Sequence, residues 1–309
     1  MTNGTMKAIR IQDYGAADQL VLQDAPIPEP GPGQVRLRLL RAGVNPADWK
    51  YRAGLYKQFM PLAFPWTPGM EGAGVVDAVG EGVTDFKPGQ AVLGVFNASY
   101  AEYALAEAGD LIAKPEALSF DEAASLPVGA LTAWQAVEEA GLQPGQRVLV
   151  HGGAGGVGVY VVQLARLKGA HVIATASGGN AEFVRSLGAE QVIDYTTQSF
   201  EKTVRDVDAV IDTVGGEVVE RSWQVLKPGG ILVTVAAMVS PDQAEARGVR
   251  GKTTSRAPAA ALRQIVPLVE SKKLRPVVGR VFPLAQAAEA HKASETGHGR
   301  GRIILHIAD

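Results

Sequence analysis

The stretch Val148-Leu149-Val150-His151-Gly152-Gly153-Ala154-Gly155-Gly156-Val157-Gly158 decides the fold. Three consecutive apolar residues without polar alternation read as a strand buried on both faces. They run directly into Gly-x-Gly-x-x-Gly at Gly153, Gly155 and Gly158, and residues 157–167 then have the composition of a helix. A lone glycine motif is a weak signal. Between a buried strand and a helix it gains a physical meaning. Gly153 is expected to permit the tight turn, Gly155 to remove a blocking side chain, and Gly158 to let the helix sit near the strand. Unpaired amides of the first helical turn then face an anion, and the helix dipole adds roughly 0.3–1 kcal/mol. Residues Gly153, Ala154, Gly155, Gly156, Val157 and Gly158 are therefore the expected cradle of a dinucleotide diphosphate. The competing reading is a turn with no ligand.

Working outward, strands are expected at 147–150, 172–175, 191–194, 209–212 and 231–235. Helices are expected between them at 157–167, 181–187, 200–204 and 218–226. Such alternation argues for a doubly wound parallel sheet with right-handed crossovers, an α/β fold. Upstream the pattern differs. Residues 6–11 and 35–39 alternate apolar with polar residues, as half-buried strands do. Further β segments are expected at 72–80, 91–96 and 100–105. The proline-rich run 25–33 cannot be helix or central strand and reads as an extended connector. Near Ser119 the chain turns helical, at 121–133 and 134–140. At the far end a helix (259–270) and a strand (277–281) precede a helix (285–294) and a strand (302–307). The last strand needs a sheet to join, and the β-rich first part is the expected one.

Two domains suit a chain of 309 residues. A net charge of -2 gives no electrostatic case for nucleic acid or an anionic membrane as partner. No apolar run approaches the roughly 18 residues that span a bilayer. Residues 1–5 read as a tail, without the apolar stretch of a signal peptide. The absence of cysteine removes disulfides, thiolate nucleophiles and sulfur-ligated zinc, and suits a cytoplasmic protein. The five histidines do not repeat at metal-ligand spacing, so no metal site is expected.

The second strand of the series decides which dinucleotide is bound. About 20 residues after the glycine loop, NAD-binding chains place an acid on the ribose 2′-hydroxyl. Here the strand ends Thr175-Ala176-Ser177-Gly178-Gly179-Asn180, without an acid. A carboxylate about 4 Å from a 2′-phosphate would cost about 4 kcal/mol at an effective dielectric of 20, about a thousandfold in affinity. Its absence permits NADPH. Ser177 and Asn180 can donate to the phosphate. Residues 176–181 contain no Arg or Lys, which leaves Arg185 as a substitute cation.

The sequence resembles the zinc-independent quinone oxidoreductase branch of the medium-chain dehydrogenase/reductases. The resemblance rests on Asn45-Pro46-Ala47-Asp48, Pro68-Gly69-Met70-Glu71-Gly72-Ala73-Gly74-Val75-Val76, Ser99-Tyr100-Ala101-Glu102-Tyr103, Ala124-Ser125-Leu126-Pro127 with Leu131-Thr132-Ala133, the glycine loop, Val192-Ile193-Asp194-Tyr195, Leu226-Lys227-Pro228-Gly229-Gly230 and Gly301-Arg302-Ile303-Ile304-Leu305. It implies a GroES-like β-rich catalytic domain over residues 1–122, completed by 268–309, and a Rossmann NADP-binding domain over 123–267. It also implies homodimers, a nicotinamide in the cleft between the domains, and a contact of Tyr195 with the adenosine phosphate. Some members carry Lys where this chain has Asn180. The zinc-bearing relatives have Cys in the region of Asn45 and His at Met70. Of that ligand set only Glu71 remains, and an amide and a thioether do not replace thiolate and imidazole around zinc.

Hydride transfer without a Lewis acid suits a small electrophile whose developing oxyanion is already delocalised, a quinone or an α,β-unsaturated carbonyl. Asn45 is the expected hydrogen-bond donor; the competing reading makes Asn45 and Asp48 a helix cap. Tyr56 resembles the proton-donating tyrosine of enoyl thioester reductases, against a partly exposed loop residue. Thr132 is a candidate contact to the nicotinamide ribose or amide, against ordinary helix packing. His151 reads as a satisfied strand-end residue. Arg247, Arg250, Lys252 and Arg256 read mainly as a solvated loop. Two alternatives stay open: a 2-enoyl thioester reductase, and a non-catalytic NADPH-binding protein.

Overall fold

A computed structural model describes residues 4–309. Residues 1–3 of the expected tail lie outside the described residues, and Thr5 already belongs to the first strand, Thr5–Arg10.

The downstream half forms a six-stranded, all-parallel sheet. Its spatial order is Gln191–Asp194, His171–Ala176, Arg147–His151, Val207–Asp212, Leu226–Thr234 and Arg250–Thr253. Numbered in chain order from Arg147–His151, this is 3-2-1-4-5-6, so the strand before the glycine loop lies where the order reverses. Ligands of open α/β sheets bind at that switch point. Val148, Leu149, Val150, Ile211 and Leu232 are fully buried there. Each such side chain contributes about 1.5–3 kcal/mol relative to exposure. Helices Pro127–Ala140 and Gly158–Leu167 cover the sheet.

The sixth strand corrects the expectation for residues 247–256. Arg250-Gly251-Lys252-Thr253 has no apolar alternation, yet it pairs in parallel with Ile231–Thr234. Two of the four cations are engaged: Lys252 Nζ lies 3.2 Å from Glu139 Oε1, and Arg247, just before the strand, lies 3.5 Å from Glu220, while Arg250 and Arg256 are exposed. The segment expected as helix at 218–226 divides into Glu217–Ser222 and a 3₁₀ turn, Trp223–Val225.

The upstream half is built on Gln34–Val44, which pairs with Glu71–Val79, Tyr103–Glu107 and Arg302–His306, all antiparallel. The final strand therefore returns to the first sheet: Ile303 pairs with Val44 across the whole sequence. The proline-rich connector is shorter than expected, because Val21–Pro26 pairs with Thr5–Arg10 as a two-stranded ribbon. Pro26 is tolerated at its end, where no ladder donor is required. One buried apolar cluster contains Ala73, Leu93 and Ile304 from this sheet together with Val148 and Val150 from the parallel sheet. The two sheets thus share a core at the level of the glycine loop.

Candidate active site

At the end of Arg147–His151 the turn falls on Gly152 (φ +71), one residue earlier than the motif suggests. Gly153 serves packing instead: a Cβ there would stand 3.0 Å from Ala174 Cβ and 3.2 Å from Val184 Cγ1. A Cβ on Gly158 would overlap the carbonyl oxygen of Gly152, so only glycine lets the helix start this close to the turn. The amides of Gly156, Val157 and Gly158 have no acceptor among the described residues. They are the donors that a diphosphate at this helix N-terminus would use. His151 is buried; its Nδ1 lies 3.1 Å from Thr175 Oγ1 and its Nε2 3.0 Å from Ser222 Oγ. Burial pushes its pKa down to about 4, so the ring is a neutral strut.

Asn45 follows the strand Gln34–Val44 and is the N-cap of the helix Pro46–Arg52. Pro46 fits the first helical position, and Asp48 Oδ2 accepts the Asn45 N–H at 2.8 Å. The side chain of Asn45 is committed elsewhere. Its Nδ2 donates to Glu71 Oε1 at 2.8 Å, and its Oδ1 accepts from Arg302 Nη2 at 2.8 Å. Arg302 also forms an ion pair with Glu71. The second Glu71 oxygen accepts the Val128 N–H, at the start of Pro127–Ala140, at 2.6 Å. All three side chains are at most 3% exposed. This set does not fit zinc: the one carboxylate is saturated by a guanidinium and a helix N-terminus, and its neighbours are a carboxamide and a thioether.

Behind Asn45 lies a buried polar chain. Tyr100 OH donates to Asp48 Oδ2 at 3.1 Å and lies 3.2 Å from His291 Nε2. Burial pushes the Asp48 carboxyl up to about 7, even though the Asn45 amide and the Tyr100 hydroxyl oppose the shift. Burial pushes His291 down to about 3, helped by the neighbouring Arg52 charge.

Arg302 joins these groups to the cofactor loop. A Cβ on Gly156 would stand 3.1 Å from Arg302 Cδ, and Gly301 N–H donates to the Ala154 carbonyl at 2.8 Å. At the other end of the loop, Ser177, Asn180 and Tyr195 come together. Asn180 Nδ2 donates to Ser177 Oγ at 3.0 Å, and Tyr195 N–H donates to the Ala176 carbonyl at 3.2 Å. The guanidinium that meets Asn180 is not Arg185 but Arg300, whose Nε donates to Asn180 Oδ1 at 3.1 Å.

Tyr56 and Thr132 make no hydrogen bond to this cluster. Tyr56 packs edge-on against Tyr51, with ring centroids 5.0 Å apart. Partial burial, with Tyr51 second, raises its pKa. Thr132 is half-buried on Pro127–Ala140. Asp212 escaped sequence reasoning. Buried at a strand end, it accepts Val214 N–H at 3.0 Å, Gly215 N–H at 3.0 Å and Thr234 Oγ1 at 2.7 Å, and so fixes the loop after the fourth parallel strand. In sequence it is only an acid after Val210-Ile211. Arg302 stands in the quoted ending Gly301–Leu305, but nothing there marks it as a site residue, since its partners lie more than 200 residues away.

Comparison with known proteins agrees with this architecture. Residues 31–116 match the alcohol dehydrogenase GroES-like domain, and residues 187–305 match the zinc-binding dehydrogenase family model. The chain is 37% identical to 2-methylene-furan-3-one reductase of Solanum lycopersicum over 317 residues, covering 97% of this chain and 79% of the relative. It is 36% identical to the chloroplastic NADPH-dependent alkenal/one oxidoreductase of Arabidopsis thaliana, with the same coverage. The solved quinone oxidoreductase of Coxiella burnetii superposes with a TM-score of 0.91 at 36% identity, over 99% of this chain and 100% of that one. With the zinc position held by Asn45, Met70 and an Arg302-bound Glu71, the chain belongs to the zinc-independent quinone oxidoreductase-like branch of the medium-chain dehydrogenase/reductase superfamily.

Proposed function

We propose that this chain is an NADPH-dependent, zinc-independent reductase that passes a hydride to a quinone or an α,β-unsaturated carbonyl. One observation carries the reading: Arg302 touches both the glycine loop and Asn45, so the cofactor cradle and the polar cluster form one site. The relatives' names, a 2-methylene-furan-3-one reductase, an NADPH-dependent alkenal/one oxidoreductase and a quinone oxidoreductase, support the acceptor class and NADPH.

The cofactor supplies the hydride when bound. The protein's part is to hold and orient. The free amides of residues 156–158 bind the diphosphate, and Gly153, Ala154 and Gly155 shape its seat. Ser177, Asn180 and Tyr195 receive the adenosine end. Thr132 lines the nicotinamide side. Asn45 Nδ2 keeps one hydrogen beyond the one given to Glu71, and this is the donor for the acceptor's developing oxyanion. Because Arg302 and Glu71 fix both ends of the carboxamide, it needs no reorganisation during the reaction.

Domain limits at 1–122 with 268–309, and at 123–267, agree with the return of Arg302–His306 to the first sheet. A homodimer is supported by the outer edge of Arg250–Thr253, the last strand of its sheet. The cysteine-free composition supports a cytoplasmic location. No helix among the described residues is long and apolar enough to cross a membrane.

The test is oxidation of NADPH against a panel of quinones, alkenones and enoyl thioesters, with and without EDTA. Turnover that survives chelation is expected; no turnover on any member would remove the proposal. Enoyl thioester reduction is the second reading, with Tyr56, which packs edge-on against Tyr51, as the acid it requires. Tyr56→Phe should then abolish crotonyl thioester reduction and spare quinones.

A further inference from the structure

Arg300 stands at the adenosine end of the proposed site, and no strand of the parallel sheet supplies it. It arrives from the loop between the helix Ala287–Glu295 and the strand Arg302–His306. Its Nε donates to Asn180 Oδ1 at 3.1 Å, and its guanidinium carbon lies 4.3 Å from the centroid of the Phe183 ring. Asn180 in turn holds Ser177. The loop is tied down one residue later, where Gly301 N–H reaches the Ala154 carbonyl inside the glycine loop. With Nε on Asn180 and one face on Phe183, the two Nη groups retain free hydrogens. No carboxylate among the described residues forms an ion pair with them. A planar guanidinium held on one edge and open on the other matches a phosphate.

One opposing charge is close. Asp194 ends the neighbouring strand, and a Cβ on Gly178 would collide with its carboxylate. Its Oδ1 accepts from Thr196 N–H at 3.0 Å and from Thr196 Oγ1 at 2.7 Å. Those bonds turn that oxygen toward its own turn, whereas the Arg300 donors are unspent. Asp194 thus keeps its charge and opposes part of that of Arg300, whose two Nη groups remain the open donors.

We propose that Arg300 reads the 2′-phosphate of NADPH and supplies from the C-terminal loop the positive charge that the second strand lacks. The inference rests on the NADPH reading above and deepens it. Because the cation comes from a segment attached to the other sheet, the 2′-phosphate also draws residues 297–301 onto the parallel sheet. NADH, lacking that phosphate, gains neither effect.

Calorimetry on the full chain with adenosine 2′,5′-bisphosphate and with 5′-AMP isolates the phosphate from hydride transfer. The wild type should bind the bisphosphate more tightly. Arg300→Ala should weaken the bisphosphate by about 10- to 100-fold, the range of a charge-assisted hydrogen bond, and leave 5′-AMP unchanged. Arg300 is exposed, so its truncation leaves the core intact. Hydrogen exchange of residues 297–301 should slow with the bisphosphate and not with 5′-AMP. Equal loss for both nucleotides, or none, would overturn the role of Arg300 and leave the reductase reading standing. A wild type that binds neither nucleotide would overturn both.

Discussion

Arg302 Nη2 lies 2.8 Å from Asn45 Oδ1, joining the last strand to the first helix cap across 257 positions. The same nitrogen is paired with Glu71, and neither charge meets solvent. Removing one partner of a buried pair leaves an uncompensated charge, at a cost of about 3–5 kcal/mol. Arg302→Ala should therefore lower unfolding stability in urea by that amount. Adding Glu71→Gln should restore part of it, because a neutral amide needs no counter-ion. A single variant that loses less than about 1 kcal/mol would show that the pair does not brace the last strand within the first sheet.

Asn45→Ala separates the two roles considered for this residue. The Asp48 half of the capping box uses the Asn45 backbone N–H and survives the change, so the helix start should be kept. If its remaining amide hydrogen meets the developing oxyanion, kcat should fall by about 10²–10³ while NADPH binding is retained. A change confined to KM would assign Asn45 to ground-state binding instead.

Gly158→Ala tests the cradle. The added methyl overlaps the Gly152 carbonyl, and the turn must open to admit it. Stability should fall by about 1–3 kcal/mol, and NADPH affinity should fall with it as the amides of residues 156–158 lose their alignment. Fluorescence titration of NADPH into the variant reads the second effect. Unchanged affinity would place the diphosphate elsewhere.

Stability should depend on pH through three buried groups. His151 and His291 have pKa values depressed to about 4 and about 3 from 6.5. Their contribution is full above pH 6.5 and is lost as pH falls toward those values, because the unfolded chain takes up protons that the native one refuses. Asp48 has the opposite sign. Its pKa is raised from 3.8 to about 7, so its contribution is full below 3.8 and is lost as pH rises to about 7. Between pH 4 and 6.5 the two histidines outweigh the one acid, and net stability should rise. Asp48→Asn removes the opposing slope of about 1.4 kcal/mol per pH unit, so the variant should gain most over the wild type above pH 7. Urea midpoints at pH 5 and pH 8 check this, and an equal effect at both values would mean that Asp48 does not titrate there.

The sequence alone determined the strand–glycine loop–helix unit, the βα series after it and the alternating strands before it. Each rests on local periodicity and on glycine, whose freedom is written in one residue. The strand Arg250–Thr253 was not legible, because a run of Arg, Gly, Lys and Thr becomes a strand only through pairing with Ile231–Thr234. The turn glycine was misplaced by one position, since the motif spacing does not reveal which glycine takes positive φ. The tertiary structure decided the site. Asn45 and Glu71 meet Arg302, and Asn180 meets Arg300, only when the chain's end folds back on its first sheet. A charge can be read from a sequence, but the partner that neutralises it depends on distance in space, which chain order does not record.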